Sequence, residues 1–195
     1  PNAGTFICLS RHMAAMVKAS VPKASTVVKP NFLTNAEAQF VSRSRSSAER
    51  SGALFVGRLS PEKGILDLAR QWDQEFDLTI AGDGPLRNEV EKASRGNERV
   101  RYAGMLAPQD VGRFLTAAAV LIFPSLWPEG NSRVLIESLA AGLPIISTGH
   151  GGIPETNLDG ITGFVAPVLR QTEIKSAYET ITADWQRYSS NCICL

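Results

Sequence analysis

The sequence has 195 residues, of which 44% are hydrophobic, and this is enough for one α/β domain with a real core and a little more. Its 20 basic and 19 acidic residues leave a formal net charge of +1, so no general attraction to nucleic acid or to a membrane surface is expected. No run approaches the ~20 apolar residues of a membrane span, and no charged-then-apolar leader opens the chain. We therefore expect one complete domain plus part of another, with a partner that a local site recognises.

The first elements predict the end of a preceding domain. The chain begins at Pro1 in mid-pattern, which indicates a piece of a longer protein. Thr5–Leu9 has the composition of a strand, and Ser10 is a suitable N-cap for the helix that follows. A second short strand, Thr26–Val28, leads to Pro30, which ends regular pairing because proline has no N–H to donate.

The segment Thr34–Ser51 is rich in serine and arginine and is predicted to be an exposed connection. A solvated loop is favoured over a nucleic-acid-binding arm, because no aromatic residues alternate with its arginines. The three cysteines, Cys8, Cys192 and Cys194, are odd in number and have no zinc-like spacing, which favours reduced cytosolic thiols.

A regular alternation of strands and helices begins at residue 53. Predicted strands are Ala53–Val56, Leu78–Ala81, Val100–Tyr102, Val120–Phe123 and Ile145–Ser147. Predicted helices are Pro61–Trp72, Pro85–Ser94, Pro108–Ala118, Asn131–Ala141 and Glu173–Tyr188. Strand, helix and strand at ~20–25-residue spacing are typical of right-handed βαβ units, so the predicted fold class is α/β with a doubly wound parallel sheet. Ligands of such sheets bind beyond the carboxyl ends of the strands.

The segment after the strand that ends at Phe123 has the pattern of an anion site. Asn131 and Ser132 are both good N-cap residues, so free N–H groups and the positive end of the helix dipole face the strand end. A phosphate fits there. Glu129 precedes the helix and Glu137 lies about two turns into it, so one carboxylate can act on each side of a bound anion.

The loop Gly57–Gly64 follows another predicted strand and carries two cations. Arg58 offers a planar fork and Lys63 a point charge, which together suit a diphosphate. A surface ion pair between Arg58 and Glu62 is the simpler alternative. The combination of cations, glycines and spaced carboxylates at strand ends nevertheless predicts a site for a ligand that carries a diphosphate.

These residues carry a resemblance to a known family. The pattern resembles the C-terminal, donor-binding domain of retaining glycosyltransferases of the GT-B fold, family 4, also called group 1. The match covers about Thr5 to Pro167, and two glutamates with seven residues between them are the hallmark of that group. The segments that match are Leu54–Leu59, Glu62–Gly64, Ile80–Pro85, Pro128–Gly130, Glu137–Pro144, Gly151–Glu155 and Gly160–Gly163.

The resemblance implies a Rossmann-like half of a GT-B fold and a role for each matching residue. Arg58 and Lys63 match the cations that hold the donor diphosphate and stabilise charge on the leaving nucleotide, and Glu129 matches the glutamate that contacts the transferred sugar. The other matching positions bind the donor: Gly57, Leu106 at the base, Gly130 and Asn131 beside the sugar, Arg133 and Val134 at the phosphate, and Glu137 at the ribose hydroxyls. The polar run Asn131-Ser132-Arg133 departs from the apolar residue that usually follows the Glu-Gly pair.

The resemblance also implies an organisation and a set of partners. Residues 1–30 would be the end of an N-terminal, acceptor-binding domain with the interdomain connection, and residues 31–195 the nucleotide-sugar-binding domain, shortened at its end. Expected partners are a nucleotide-sugar donor with UDP or GDP as carrier and a glycan or lipid acceptor, without nucleic acid. Neither a cofactor nor a metal is expected. A full-length enzyme would be cytoplasmic, peripheral at the inner membrane face.

Two functions remain open at this point. The chain is a retaining hexosyltransferase or its donor-binding fragment, which need not be active alone, or it is a nucleotide- or nucleotide-sugar-binding module without catalysis. A phosphorylase of the same fold would need a free-phosphate site, which the sequence does not provide.

Overall fold

The computed structural model describes residues 4–35, 37 and 50–194. Most of the predicted serine- and arginine-rich connection therefore lies outside the described residues. A small parallel sheet pairs β1 (Thr5–Cys8) with β2 (Ser25–Val28). A six-stranded parallel sheet has the order β5-β4-β3-β6-β7-β8 and consists of β3 (Ala53–Val56), β4 (Leu78–Ala81), β5 (Val100–Gly104), β6 (Val120–Phe123), β7 (Ile145–Thr148) and β8 (Gly163–Ala166). The prediction of a parallel, doubly wound α/β sheet is confirmed.

Seven helices connect and cover these strands in the described part of the chain. They are α1 (Arg11–Ser20), α2 (Ile65–Arg70), α3 (Arg87–Arg95), α4 (Pro108–Ala117), α5 (Arg133–Ala140), α6 (Gln171–Ala183) and α7 (Trp185–Ile193). The hydroxyl of Ser10 accepts a hydrogen bond from the N–H of Met13 at 3.1 Å, so Ser10 is the predicted N-cap of α1. No helix among the described residues combines the length and apolar character needed to span a membrane.

Two helix predictions and one omission need correction. The predicted helix Pro61–Trp72 is instead a 3₁₀ turn, Pro61–Lys63, followed by α2. The two are separated at Gly64, which has a φ of 67° and at which a Cβ would clash with the carbonyl oxygen of Pro124. The predicted helix Glu173–Tyr188 is two helices, α6 and α7, that separate at Asp184. The sequence analysis did not predict β8.

Side chains of the central strands alternate between two cores, one on each face of the sheet. Ala53 and Phe55 of β3 pack with the apolar residues of α2 and α6, whereas Leu54 packs in a second cluster with Leu115 of α4 and Leu135 of α5. This period of two is the pattern of a strand that is buried on both faces. The two faces together bury the strands and leave their carboxyl ends as the accessible edge.

The strand order places a crevice at the centre of that edge. The chain winds from β3 outward through β4 and β5 on one side, and from β6 outward through β7 and β8 on the other. Because β3 and β6 are neighbours, the loops that leave them diverge to opposite sides. Such a switch point is where doubly wound sheets bind ligands.

Candidate functional site

The loops after β3 and β6 bring together the predicted Lys63 and Glu129. The Lys63 ammonium lies 2.5 Å from Glu129 Oε1, and the Ser125 hydroxyl donates to the same oxygen at 2.8 Å. The Lys63 and Glu129 side chains are 21% and 15% exposed. The ammonium also lies 5.7 Å from the centre of the Phe123 ring. The crevice therefore contains a partly desolvated ion pair at its centre.

Backbone contacts fix the position of the Glu129 loop. The N–H of Leu126 donates to the carbonyl of Glu62 at 2.8 Å, and the N–H of Gly152 donates to the carbonyl of Glu129 at 2.7 Å. The loop after β6 is thus hydrogen-bonded to the loop after β3 on one side and to the loop after β7 on the other. This arrangement holds the Glu129 carboxylate beside the ammonium of Lys63.

Helix α1 of the small sheet packs against the same loops. Its first N–H groups, from Arg11 and His12, donate to the Glu155 carboxylate at 2.9 and 3.0 Å. A Cβ at Gly130 would lie 2.6 Å from the sulfur of Met13, and one at Gly152 would lie 2.7 Å from the Cβ of Ser10. A Cβ at Gly152 would also overlap the carbonyl oxygen of Gly130, so position 152 requires glycine, whereas the flexible Met13 side chain can move away from a Cβ at Gly130.

Two cavities lie beside the loops after β3 and β5 and the start of α5, and neither is lined by Lys63 or Glu129. A cleft of about 250 Å³ is lined by Gly57, Arg58 and Leu106, and a larger cavity of about 680 Å³ is lined by Leu106, Arg133 and Glu137. Leu106 lines both, so the two cavities are neighbours. The larger one has enough room for a nucleoside.

The Arg58 side chain is exposed at the smaller cleft. Among the described residues Arg58 and Glu62 form no ion pair, although the Arg58 charge helps to lower the pKa of Glu62, and the Glu62 carboxylate accepts a hydrogen bond from Ser60 at 2.5 Å. That hydrogen bond is the main reason why the pKa of Glu62 is lowered. The Arg58 guanidinium can therefore face an anion in the cleft.

Glu137 is a half-buried acid in the larger cavity. Burial raises the pKa of its carboxyl, and the Arg133 guanidinium, 3.6 Å away, opposes this rise. Its side chain is 23% exposed, so at least one oxygen can be reached from the cavity. Glu137 can accept hydrogen bonds there from a ligand.

The start of α5 follows the Glu129 loop in the chain and lines the larger cavity through Arg133. Ser132 is the N-cap residue as predicted, and its side chain makes no capping hydrogen bond among the described residues, so the first N–H groups, at Arg133 and Val134, are available to an anion. The Asn131 amide donates to the hydroxyl of Thr156 at 2.9 Å and accepts from the N–H of Asn31 at 2.9 Å. The Asn131 side chain thus holds the loop in place.

The ten predicted site residues lie on the loops after β3, β5 and β6 and on the first two turns of α5. The sequence analysis missed four residues that contact them: Asn31, Glu37, Ser125 and Thr156. One signal was present, since Thr34-x-x-Glu37 has the spacing of a capping box. The others lie in loops without a distinctive pattern.

The described residues contain no group of three or more His, Cys, Asp or Glu that could hold a metal ion. All three cysteines are free thiols: Cys8 and Cys192 are buried, and Cys194 is exposed. Burial raises the pKa of the Cys192 thiol to about 12, so it stays protonated. The charged groups of the site are therefore the side chains described above.

The family follows from a comparison with known proteins. Residues 50–184 match the family model described as glycosyl transferases group 1. The chain belongs to this family. The matched range contains every predicted site residue, from Gly57 to Glu137, and the strands β3 to β8.

Relatives of this group 1 glycosyltransferase are longer proteins. The lipopolysaccharide 1,2-N-acetylglucosaminetransferase of Salmonella typhimurium is 26% identical over 96% of this chain, which spans 55% of that protein. The α-D-kanosaminyltransferase of Streptomyces kanamyceticus is 29% identical over 70% of this chain, which spans 37% of that relative. The chain thus covers about half or less of their lengths.

Solved structures show the same fold. HepE of Anabaena, in complex with UDP, superposes on 96% of this chain with a TM-score of 0.76 and 22% identity, and the chain spans 57% of HepE. The fold of this group 1 glycosyltransferase is therefore that of one half of the GT-B enzymes, as the sequence resemblance implies.

Proposed function

We propose that this protein binds a nucleotide diphosphate sugar at the β3–β6 crevice and supplies the donor half of a retaining hexosyltransferase of family 4. The observation that carries the proposal is the contact between Lys63 and Glu129, which places a cation and a carboxylate side by side at the switch point of the sheet. The family supports sugar transfer, and the larger cavity, lined by Leu106, Arg133 and Glu137, has room for the nucleoside of a nucleotide carrier.

The two cations would act on the diphosphate. When the bond between the anomeric carbon and the diphosphate breaks, negative charge develops on the departing nucleoside diphosphate. Arg58 and Lys63, with the free N–H groups of Arg133 and Val134, would stabilise that charge by hydrogen bonds that are already oriented. The Lys63 ammonium would bind phosphate while staying within reach of Glu129.

The carboxylates and the glycines would position the other parts of the donor. Glu129 would accept hydrogen bonds from the transferred sugar, with the backbone of Gly130 and Asn131 beside it. Glu137 would accept hydrogen bonds from the ribose hydroxyls, and Leu106 would contact the base. Gly57, between Arg58 and the end of β3, would let the backbone approach the donor closely.

The remaining expectations belong to the same proposal. Residues 1–30 would complete an acceptor-binding domain that takes a glycan or lipid acceptor, and residues 31–195 would form the donor domain. Transfer would need no metal or cofactor, because the side-chain cations and the α5 N-terminus supply the positive charge. A cytoplasmic location, peripheral at the inner membrane face in a longer enzyme, fits the three free thiols.

Calorimetry with UDP, GDP and ADP tests the proposal. The chain should bind one diphosphate with micromolar or tighter affinity and should bind uridine or guanosine without phosphates much more weakly. Lack of binding to all three diphosphates would refute both the transferase and the alternative of a binding module without catalysis. Release of nucleotide from a nucleotide sugar, once an acceptor domain and acceptor are added, separates these two functions.

A further inference from the structure

The segment after the small sheet forms one wall of the larger cavity. Leu33 and Glu37 line it together with Arg133 and Glu137 of α5. The sequence analysis assigned this segment to an exposed connection, so its presence at the cavity is unexpected. A residue of the connection can therefore influence what the cavity binds.

Hydrogen bonds with Thr34 fix the orientation of the Glu37 carboxylate. The N–H and the hydroxyl of Thr34 both donate to Glu37 Oε2 at 2.8 Å, and the N–H of Glu37 is 3.3 Å from the Thr34 hydroxyl. This is the reciprocal pattern of a capping box. Because both Thr34 donors use Oε2, Oε1 remains available to a group in the cavity wall.

That group is the Arg133 guanidinium. Its Nη2 lies 2.6 Å from Glu37 Oε1 and 3.6 Å from Glu137 Oε1, so the same nitrogen is shared unequally between two carboxylates. Hydrogen bonds lower the pKa of Glu37 to about 2: the largest effect comes from the N–H of Thr34 and the next from Arg133. Glu37 is therefore ionised at neutral pH. The shorter contact draws the guanidinium toward Glu37.

A second contact anchors the connection to the same end of α5. Asn31 donates from its side chain to the carbonyl of Asn131 at 2.6 Å and from its N–H to the Asn131 side chain at 2.9 Å. Asn131 directly precedes the N-cap residue of α5. The connection is therefore attached both just before the helix, through Asn31, and at its first turn, through Glu37.

We propose that Glu37 is a positioning residue for the donor: by holding the Arg133 guanidinium, it keeps the Glu137 carboxylate free to accept hydrogen bonds from ribose hydroxyls. This inference rests on the proposed function, which assigns the ribose to Glu137. Without the charge of Glu37, the carboxylate nearest to Arg133 in the described structure is that of Glu137. Arg133 then competes with the ribose for Glu137.

The test is calorimetry of the Glu37→Gln variant with UDP, or with GDP if the chain binds that base, and with the 2′,3′-dideoxy form of the same nucleotide. Glutamine keeps a carbonyl for the Thr34 capping box and removes the charge. Affinity for the ribonucleotide should fall about three- to fivefold, the scale of an exposed ion pair. Affinity for the dideoxy nucleotide, which has no ribose hydroxyls for Glu137, should not change.

The Glu91→Gln variant is the matched control, because Glu91 pairs with Arg95 at the same 2.6 Å in α3, away from the cavity. It should bind like the wild type. In an Arg133→Met background the Glu37 substitution should have no further effect, since the competing cation is gone.

Equal losses for both nucleotides in the Glu37→Gln variant would indicate a merely structural role and overturn the inference. If the Glu37→Gln variant binds the ribonucleotide as tightly as the wild type does, the inference is also overturned. The proposed function still stands in that case, because the wild-type protein binds the nucleotide. If the wild type binds neither UDP nor GDP, the proposed function fails and the inference fails with it.

Discussion

Replacing Lys63 with Met removes the ammonium at the centre of the crevice and keeps a side chain of similar length and shape. Two effects are expected from the surroundings of Lys63. Among the described residues the Glu129 carboxylate keeps only its hydrogen bond from Ser125 at 2.8 Å, and the donor diphosphate loses a cation. The first effect lowers the free energy of unfolding, and the second lowers affinity for the donor.

The structure sets the size of each effect. The pair is less exposed than surface ion pairs, which contribute at most about 1 kcal/mol, and less buried than pairs whose disruption costs about 3–5 kcal/mol. We therefore expect a stability loss of about 1–3 kcal/mol, or a decrease in Tm of roughly 3–10 °C for a chain of this size. A lost charge-assisted hydrogen bond of about 1.5–3 kcal/mol would weaken UDP binding about 10- to 100-fold.

Calorimetry with UDP and with uridine, together with a thermal melt, measures both effects. The Lys63→Met variant should lose UDP affinity but keep its weak affinity for uridine, which has no phosphate. Lys63→Arg should recover part of the loss, and Lys175→Met, which removes an exposed lysine from α6, should match the wild type. Wild-type UDP affinity in Lys63→Met would refute the role given to this ammonium.

Three further predictions address the loops, the buried acid and the metal. Gly82→Ala should lower the free energy of unfolding by about 2–4 kcal/mol in urea, because φ at Gly82 is 142° and a Cβ would overlap the carbonyl oxygen of Gly57 and lie 2.9 Å from its carbonyl carbon. Gly96→Ala, whose Cβ would meet nothing nearer than 3.5 Å, is the control, and equal stabilities would contradict this prediction. Burial raises the pKa of Glu137, so ionisation of Glu137 destabilises the fold as pH rises through that pKa. Glu137→Gln should therefore raise Tm more at pH 8 than at pH 4 while weakening UDP binding, and Glu89→Gln, at an exposed site, should do neither. UDP affinity should be the same with and without EDTA, and a tenfold decrease with EDTA would contradict metal independence.

Most of the fold could be predicted because the buried strands have a strong local signal. Val120–Phe123 is an uninterrupted apolar run between a helix end and a proline-rich turn, and the structure buries all four residues. β8 has a weaker pattern, since Gly163–Ala166 is short and its two central residues are only partly buried. The break at Gly64 had a local sign, because glycine in the left-handed conformation commonly ends a helix, whereas the nearby carbonyl of Pro124 that excludes a Cβ there is distant in sequence.

The candidate site could be predicted where its residues follow strand ends, and not where distant loops supply them. Lys63 and Glu129 lie in the loops that follow two neighbouring strands, β3 and β6, so the topology brings those loops to one edge. Glu37 reaches Arg133 across 96 residues of sequence, and Asn31 reaches Asn131 across 100. Such contacts depend on how the connection folds back over α5, which hydrophobic periodicity does not determine.

The close packing of α1 on the glycines of the large sheet has a consequence for building hybrid enzymes. A crossover near Pro30 would place a foreign helix against Gly130 and Gly152, where a residue bulkier than Ser10 would displace the loop that carries Glu129. The first N–H groups of that foreign helix would also have to align with the Glu155 carboxylate. A crossover before Thr5 keeps β1 and α1 together with their partner surface, so it is the junction that leaves these contacts intact.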